Sequence, residues 1–347
     1  MREPESMACR AAVRATLAQL PELAEPAQPS EPFRPQLAPP RPAPGAVVLA
    51  AVSGGADSLA LAAALAWVAA REGYRGGAVC VDHGLQADSA AVAARAAELC
   101  RGLGLDPVEV VRVVVPDPCP DGPEAAARTA RYAALSAAAQ RHDASAVLLG
   151  HTRDDQAEQV LLGLLRGSGL RSLSGMPAHR PPFSRPFLHV TRAQTQASCA
   201  ELGLTPWHDP HNSDPTYTRV RVRRAVADLE RDLGPGVAAA LARTAEQARA
   251  DAQVLDELAA RLVTDLGPGP YAVAHLSAHP AALRTRVWRR LLVAAGAPAG
   301  QVSSRHTSAC DRLLTHWRGQ GPVAAPGGVA IARRGGRIHV VAGHTVN

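Results

Sequence analysis

Short apolar runs and longer Ala/Leu-rich stretches alternate through the middle of this chain. Residues 46–52 (AVVLAAV) form an apolar run that ends in SGGADS and passes into a helical stretch reaching about Arg71. The alternation then repeats. Strands are predicted at 78–81, 108–115 and 145–150, and helices at 87–102, 123–141 and 154–165. Strands without polar alternation are buried on both faces, so the pattern predicts an α/β fold, a parallel sheet with helices on both faces. Ligands in such sheets sit beyond the carboxyl ends of the strands, where each polar motif of this chain falls. Ahead of the alternation, residues 7–20 read as an amphipathic helix, and nine prolines between 21 and 44 make 21–45 a loop. After Pro186 the pattern predicts a helix over 192–203, a polar loop over 204–218 and mostly helix over 219–265. Helices near 280–295 and 304–317 follow, then a closing hairpin over 323–342 with turns at Gly327–Gly328 and Gly335–Gly336. The expected units are therefore an N-terminal helix and Pro-rich loop (1–45) and an α/β domain (46–218). A helical linker with a small C-terminal α+β domain (219–347) completes the chain.

Composition narrows the chemistry. All 37 basic residues are arginine, which excludes a Walker lysine, a Schiff base and a lysine general base. The net charge of +6 suits a polyanionic partner such as RNA without requiring one. Six cysteines contain no CxxC pair, which argues against a zinc ribbon, a redox dithiol or a secreted disulfide scaffold. No apolar run suits a membrane span and no signal-peptide core opens the chain, so the cytoplasm is the expected location. With aromatics at 3%, Ala, Val and Leu must fill the core.

Ser53-Gly54-Gly55-Ala56-Asp57-Ser58 joins a buried strand to a helix. Adjacent glycines let successive N–H groups point at an anion, and the helix N-terminus adds partial positive charge. Ser53 and Ser58 can donate to phosphate oxygens. Asp57 would be repelled by phosphate unless a divalent cation intervenes, which implies Mg²⁺. The plain alternative is a capped glycine-rich turn. Further on, Asp154, Asp155 and Glu158 crowd a predicted helix N-terminus, with Asp155 and Glu158 sharing a face. Helix capping accounts for one of the aspartates but not for all three acids. Together they could bind Mg²⁺ or a cationic amine and accept a proton from it.

The six-residue loop resembles the SGGxDS loop of the PP-loop (N-type) ATP pyrophosphatases, which grip pyrophosphate and leave the α-phosphate open to attack. Other segments narrow the resemblance: Val81-Asp82-His83-Gly84-Leu85, then Glu124, Arg128, Arg131 and Tyr132, then His151-Thr152-Arg153-Asp154-Asp155-Gln156-Ala157-Glu158. Leu165-Arg166-Gly167-Ser168-Gly169-Leu170, Ser174-Gly175-Met176, Arg185-Pro186-Phe187-Leu188 and Trp207-His208-Asp209-Pro210-His211-Asn212 continue it. Across about residues 46–224 the chain is similar to the tRNA(Ile)-lysidine synthetases.

The resemblance implies ATP and Mg²⁺, with Ser53, Gly54, Gly55, Ala56, Asp57, Ser58, His83, Arg128 and Arg131 on the nucleotide and Asp57 and Asp154 on the metal. Asp57, His151, Asp155 and Glu158 become the catalytic candidates, and Arg166, Arg219, Arg221, Arg223 and Arg224 the tRNA-binding ones; solvated surface charge is the alternative for the arginines. The implied reaction adenylates O2 of the wobble cytidine of an isoleucine tRNA with a CAU anticodon. Free L-lysine then displaces AMP through its ε-amine, and Asp155 and Glu158 are equal candidates to bind or deprotonate that amine. A homodimer is left open. Thr152 stands where the pattern has a second histidine, Gly150 replaces alanine, Gln159 threonine and Val220 asparagine; the Pro-rich insertion is atypical. The rival readings are a PP-loop tRNA thiolase, which would need a cysteine pair, and a non-catalytic tRNA-binding protein.

Overall fold

The computed structural model describes residues 4–20, 45–84, 88–114, 123–167, 169–210 and 214–342. Nearly all of the Pro-rich stretch, together with Leu85, Cys119, Ser168, His211, Asn212 and the side chain of Glu124, lies outside them. In chain order the first elements are α1 (Glu5–Leu17), β1 (Val47–Val52), α2 (Ala56–Glu72), β2 (Arg75–Asp82), α3 (Ser89–Gly102) and β3 (Val108–Arg112). Next come α4 (Pro123–Arg141), β4 (Ala144–Leu149), α5 (Arg153–Leu165), α6 (Leu170–Leu173), β5 (His179–Arg180), β6 (Phe183–Ser184), α7 (Arg192–Glu201), α8 (Thr218–Leu233) and α9 (Val237–Leu266). The chain closes with β7 (Tyr271–Ala272), α10 (Val273–Ser277), α11 (Ala281–Ala294), α12 (Ser304–Thr315), β8 (Val323–Ala324), β9 (Ala330–Arg334) and β10 (Arg337–Val341).

Two compact units emerge: residues 1–162 with 176–243, and residues 163–175 with 244–347. In the first, the strand order among the described residues is β3-β2-β1-β4-β6-β5. Pairings are parallel from β3 through β6, and β5 is antiparallel to β6. Strand β1 is central, and its alternate side chains feed two cores. Val48, Ala50 and Val52 pack with α1, α2 and α3, whereas Leu49 faces Leu135, Ala138 and Ala139 of α4. Helix α2 is apolar nearly all round and correspondingly buried, with Leu59, Leu61 and Leu65 fully enclosed.

The order 3-2-1-4 has a consequence for function. The chain leaves β1 to one side through β2 and β3 and returns on the other side as β4, so the carboxyl ends of β1 and β4 flank the switch point where open parallel sheets bind ligands. The SGGADS loop follows β1, and His151 follows β4.

Expected and observed elements agree closely, and the differences have physical causes. Strand β2 begins before the expected Ala78 because Gly76 and Gly77 carry no hydrophobic signal. They are small out of necessity: a Cβ on Gly77 would lie 2.6 Å from the Pro107 carbonyl oxygen and 2.7 Å from Leu49 Cδ2. The N-terminal helix, expected to form its own segment, belongs to the first unit. Its first turn has no side-chain cap of its own, and Glu201 of α7 supplies one by accepting from Glu5 N (2.9 Å) and Ser6 N (3.0 Å). Helix α8 was expected to start the C-terminal part, yet it too lies in the first unit, where Val226 packs with Ala157 and Ala238.

The second unit has its own core of Trp288, Leu291, Leu292, Cys310, Leu313, Ile331 and Ile338. Its sheet, β7-β10-β9-β8, is antiparallel. Gly335 and Gly336, both at positive φ (54° and 72°), form the expected two-residue turn between β9 and β10. Asp311 is held by both arms of Arg284 (2.7 and 2.8 Å) and by the Trp288 indole N–H (3.1 Å). No described helix is long and apolar enough to cross a membrane.

Two glycines separate packing from backbone freedom. Gly77→Ala should lower stability by about 1–3 kcal/mol through overpacking. Gly102→Ala, in α3 with nothing within 4 Å of the added carbon, should raise it by up to about 1 kcal/mol. Urea unfolding of both variants reads the opposite signs.

Candidate active site

The phosphate loop is built by its backbone. Gly54 sits at φ 85°, a left-handed conformation suited to glycine, and its carbonyl accepts the Trp207 N–H at 2.9 Å. Gly55 occupies the N-cap of α2 without a side-chain cap, so the first N–H groups of the helix remain available to an anion. The two serines divide their work. Ser53 is exposed, whereas Ser58 is buried and accepts Ser53 N–H (3.1 Å) while donating to the Gly55 carbonyl (2.9 Å). The Ser58 proton is thus spent inside the loop, contrary to the expectation that it faces phosphate. At the adjoining strand end, a Cβ on Gly150 would meet the Asp57 carbonyl oxygen at 3.0 Å, which shows how closely the end of β4 abuts the first turn of α2.

Asp57 leads from this loop into a carboxylate cluster. Its Oδ1 accepts from Thr195 Oγ1, and its Oδ2 lies 3.8 Å from Arg192 Nε. Burial raises the Asp57 carboxyl above its usual range; the Thr195 hydrogen bond opposes this, and the charge of Asp155 adds to it. Arg192 also gives its backbone N–H to Asp154 (2.8 Å) and its Nη2 to Asp155 (2.9 Å) and Glu158 (3.4 Å). Glu158, buried at 3% exposure, also accepts Arg223 Nε at 2.8 Å. Burial would push Asp155 up, but Arg192 and the Thr152 backbone hold it below the usual carboxylate range. Arg192 is raised in turn, its four acidic neighbours outweighing the effect of burial.

Thr152, the departure from the family's second histidine, has a clear local role. Asp155 Oδ2 accepts Thr152 N–H (2.8 Å), and Thr152 Oγ1 accepts Asp155 N–H (3.4 Å), a reciprocal cap at the start of α5. The Thr152 hydroxyl also lies 3.0 Å from the same Asp155 oxygen. Gln156, in the same motif, clasps the Met176 backbone from both sides (3.1 and 2.7 Å), which joins the DDQAE and GM segments.

A second group is cationic. Tyr132 OH accepts from Arg128 (3.3 Å) and Arg185 (3.2 Å). Burial lowers the Arg131 guanidinium, and the charges of Arg128, Arg219 and Arg185 lower it further. Burial takes His151 down to about 3; Asp155 opposes this, while Arg185, Arg131 and Arg128 contribute to it. His83 is lowered by burial and by Arg131. Nδ1 of each histidine is buried and, among the described residues, has no hydrogen-bond partner. His151 is therefore neutral near pH 7 and presents a hydrogen-bonding ring, not a stored proton.

The structure sorts the expected residues into groups. Asp57, Asp154, Asp155 and Glu158 converge, and His83, Arg128, Arg131 and His151 form the second group, which Arg219 joins although it was expected on tRNA. The other arginines expected on tRNA differ in their local surroundings. Arg223 is tied to Glu158, and Arg221 folds back on the Pro215 and Thr216 carbonyls (2.8 Å each). Arg224 is exposed on α8, and exposed Arg166 lies in the other unit. Sequence reasoning missed Arg192, Thr195 and Arg185. Arg192 left one signal: a cation at the first residue of a helix opposes the helix dipole, which calls for acidic partners.

Two measurements test this geometry. Thr152→Ala should cost about 1 kcal/mol by removing the cap on α5, read as a lower urea midpoint. The unfolded His151 side chain takes up a proton near 6.5 and the folded one only near 3, so its buried neutral ring favours unfolding as pH falls below about 6.5. His151→Gln should consequently lose less stability than the wild type between about pH 6.5 and 5.

Comparison with known proteins bears on the same residues. Residues 31–230 match the family model of a PP-loop domain, and residues 272–339 match that of the TilS substrate binding domain. The chain is 55% identical to the tRNA(Ile)-lysidine synthase of Thermobifida fusca (strain YX), over 84% of this chain and 90% of that one. It is 52% identical to the tRNA(Ile)-lysidine synthase of Streptomyces coelicolor, over 88% of this chain and 87% of that one. Among solved structures, the U34-tRNA thiolase NcsA from Methanococcus maripaludis with its 4Fe-4S cluster is similar, with a TM-score of 0.53 and 18% identity. That likeness covers 70% of this chain and 78% of the thiolase and is one of fold alone. With a PP-loop domain over the parallel sheet and relatives above 50% identity along most of its length, this chain belongs to the tRNA(Ile)-lysidine synthase family.

Proposed function

We propose that the protein ligates free L-lysine to the wobble cytidine of an isoleucine tRNA with a CAU anticodon, consuming ATP and releasing AMP and pyrophosphate. The observation that carries the reading is the junction at Asp57, where an uncapped, glycine-formed helix N-terminus meets a cluster of four carboxylates. The first feature suits phosphate and the second a cation, so one site can hold a nucleotide and an amine together.

The chemistry follows from the leaving group. A pyrimidine oxygen departs poorly and AMP departs well, so the cytidine O2 takes the adenylyl group first and the lysine ε-amine then displaces AMP at C2. Backbone N–H groups of the loop and exposed Ser53 hold the outer phosphates, and Arg128, Arg131, Arg185 and Arg219 supply positive charge for nucleotide or RNA phosphates. Four carboxylates against two guanidinium groups leave the Asp57–Glu158 cluster negative, which draws in the ammonium end of lysine.

Magnesium fits the same place. The described residues contain no preformed group of three or more metal-ligating side chains, and Mg²⁺ usually takes one or two carboxylates plus substrate phosphates and waters. Asp57 and Asp154 would hold it, and when bound it would neutralise charge on the phosphates. Residues 271–342 carry ten arginines against one acid, Asp311, which Arg284 already occupies. That imbalance supports this C-terminal segment as a tRNA-binding surface.

A thiolase would need a CxxC-type cysteine pair for a persulfide or an iron–sulfur cluster, and the six cysteines of the sequence include no CxxC. Incubation with α-³²P-ATP, the tRNA transcript and labelled lysine tests the proposal, with mass spectrometry of the nucleoside. AMP release coupled to lysine incorporation is the expected result; ADP release, or tRNA binding without transfer, contradicts it. Asp57→Asn should reduce AMP formation by about 100-fold or more, on the scale of losing one preorganised electrostatic group. Undiminished AMP formation would show that Asp57 is not part of the site.

A further inference from the structure

Arg192 is tied to α5 twice. Its backbone N–H is held by Asp154 (2.8 Å), and its guanidinium reaches Asp155 (2.9 Å) and Glu158 (3.4 Å). The side chain is 21% exposed and the α7 N-terminus is itself fixed by the Thr191–Gln194 capping box, so both ends of the residue are constrained. Asp155 and Glu158, three residues apart on one helical face, repel each other unless a cation spans them. Arg223 reaches Glu158, while the ion pairs of the described residues give Asp155 to Arg192. Asp57, by contrast, is more loosely tied to Arg192, at 3.8 Å, and has an independent anchor in Thr195.

We propose that Arg192 is a positioning residue for lysine transfer, its planar guanidinium holding Asp155 and Glu158 side by side to receive the amine. This rests on the lysine-ligating reading given above. A guanidinium's rigid donor fork can bridge two carboxylates at fixed spacing, whereas an ammonium, with three rotatable donors on a flexible stem, does not fix that spacing. The effect of losing Arg192 should therefore fall on lysine more heavily than on ATP.

The test measures steady-state kinetics of lysine incorporation for the wild type, Arg192→Ala and Arg192→Lys, titrating lysine and ATP separately. Arg192→Ala should raise the KM for lysine by about tenfold or more, the scale of one charge-assisted hydrogen bond, with a smaller rise in the KM for ATP. Arg192→Lys should fall between wild type and Arg192→Ala, and added guanidinium ion should restore part of the loss in Arg192→Ala and none in Arg192→Lys. Should Arg192→Ala fail to fold, as judged by its thermal melt, the lysine-to-ATP split in Arg192→Lys decides. Equal rises in both KM values, or no change in either, would overturn the role of Arg192. A wild type that incorporates no lysine would overturn the substrate reading itself, and this inference with it.

Discussion

Four carboxylates at the N-terminal turns of two helices cannot converge without cations among them. At an effective dielectric of 20, two like charges 4 Å apart repel by about 4 kcal/mol. Here Arg192 and Arg223 offset that repulsion, and Thr195 and Thr152 supply hydrogen bonds to Asp57 and Asp155. The compensation is incomplete by charge, which makes the cluster receptive to a further cation. Much of the first unit serves this arrangement. Helix α7 presents Arg192 and Thr195 at its start, and at its end Glu201 caps α1, which packs into the same core as α2.

The cationic group has the opposite imbalance. The charges of Arg128, Arg185 and Arg219 all act on buried Arg131, and burial, reinforced by the arginines, lowers the neighbouring His151 and His83. His151 adjoins the carboxylate cluster through Asp155 and the arginines through their repulsion, so it marks the boundary between the two halves. A site with one anionic and one cationic half suits substrates that bring both signs of charge. ATP, tRNA and an amino acid do so.

Much of this was legible in the chain. Strand β1 and its loop were visible because an apolar run ending in two glycines and followed by an Ala/Leu-rich helix has few other readings. The acids of α5 were visible because three carboxylates in one turn exceed what a cap requires. Less legible were elements whose signal is absent or distant. Gly76–Gly77 extend β2 without a hydrophobic side chain, and β5 and β6 are two residues each. Ser58 and Arg223 were assigned outward-facing work, but the fold turns both inward.

By itself, then, the sequence determined the alternation of strands and helices, the phosphate loop and the family to which the chain belongs. These depend on local periodicity and on motifs read within a few residues. The tertiary structure alone decided that β4 lies beside β1, and so that the loop and the His151–Glu158 segment share one crevice. It also brought Arg192 and Thr195 to acids far away in sequence, Thr195 being 138 residues from Asp57. The physical reason is that the energy of an ion pair depends on distance in space, and separation along the chain does not record that distance.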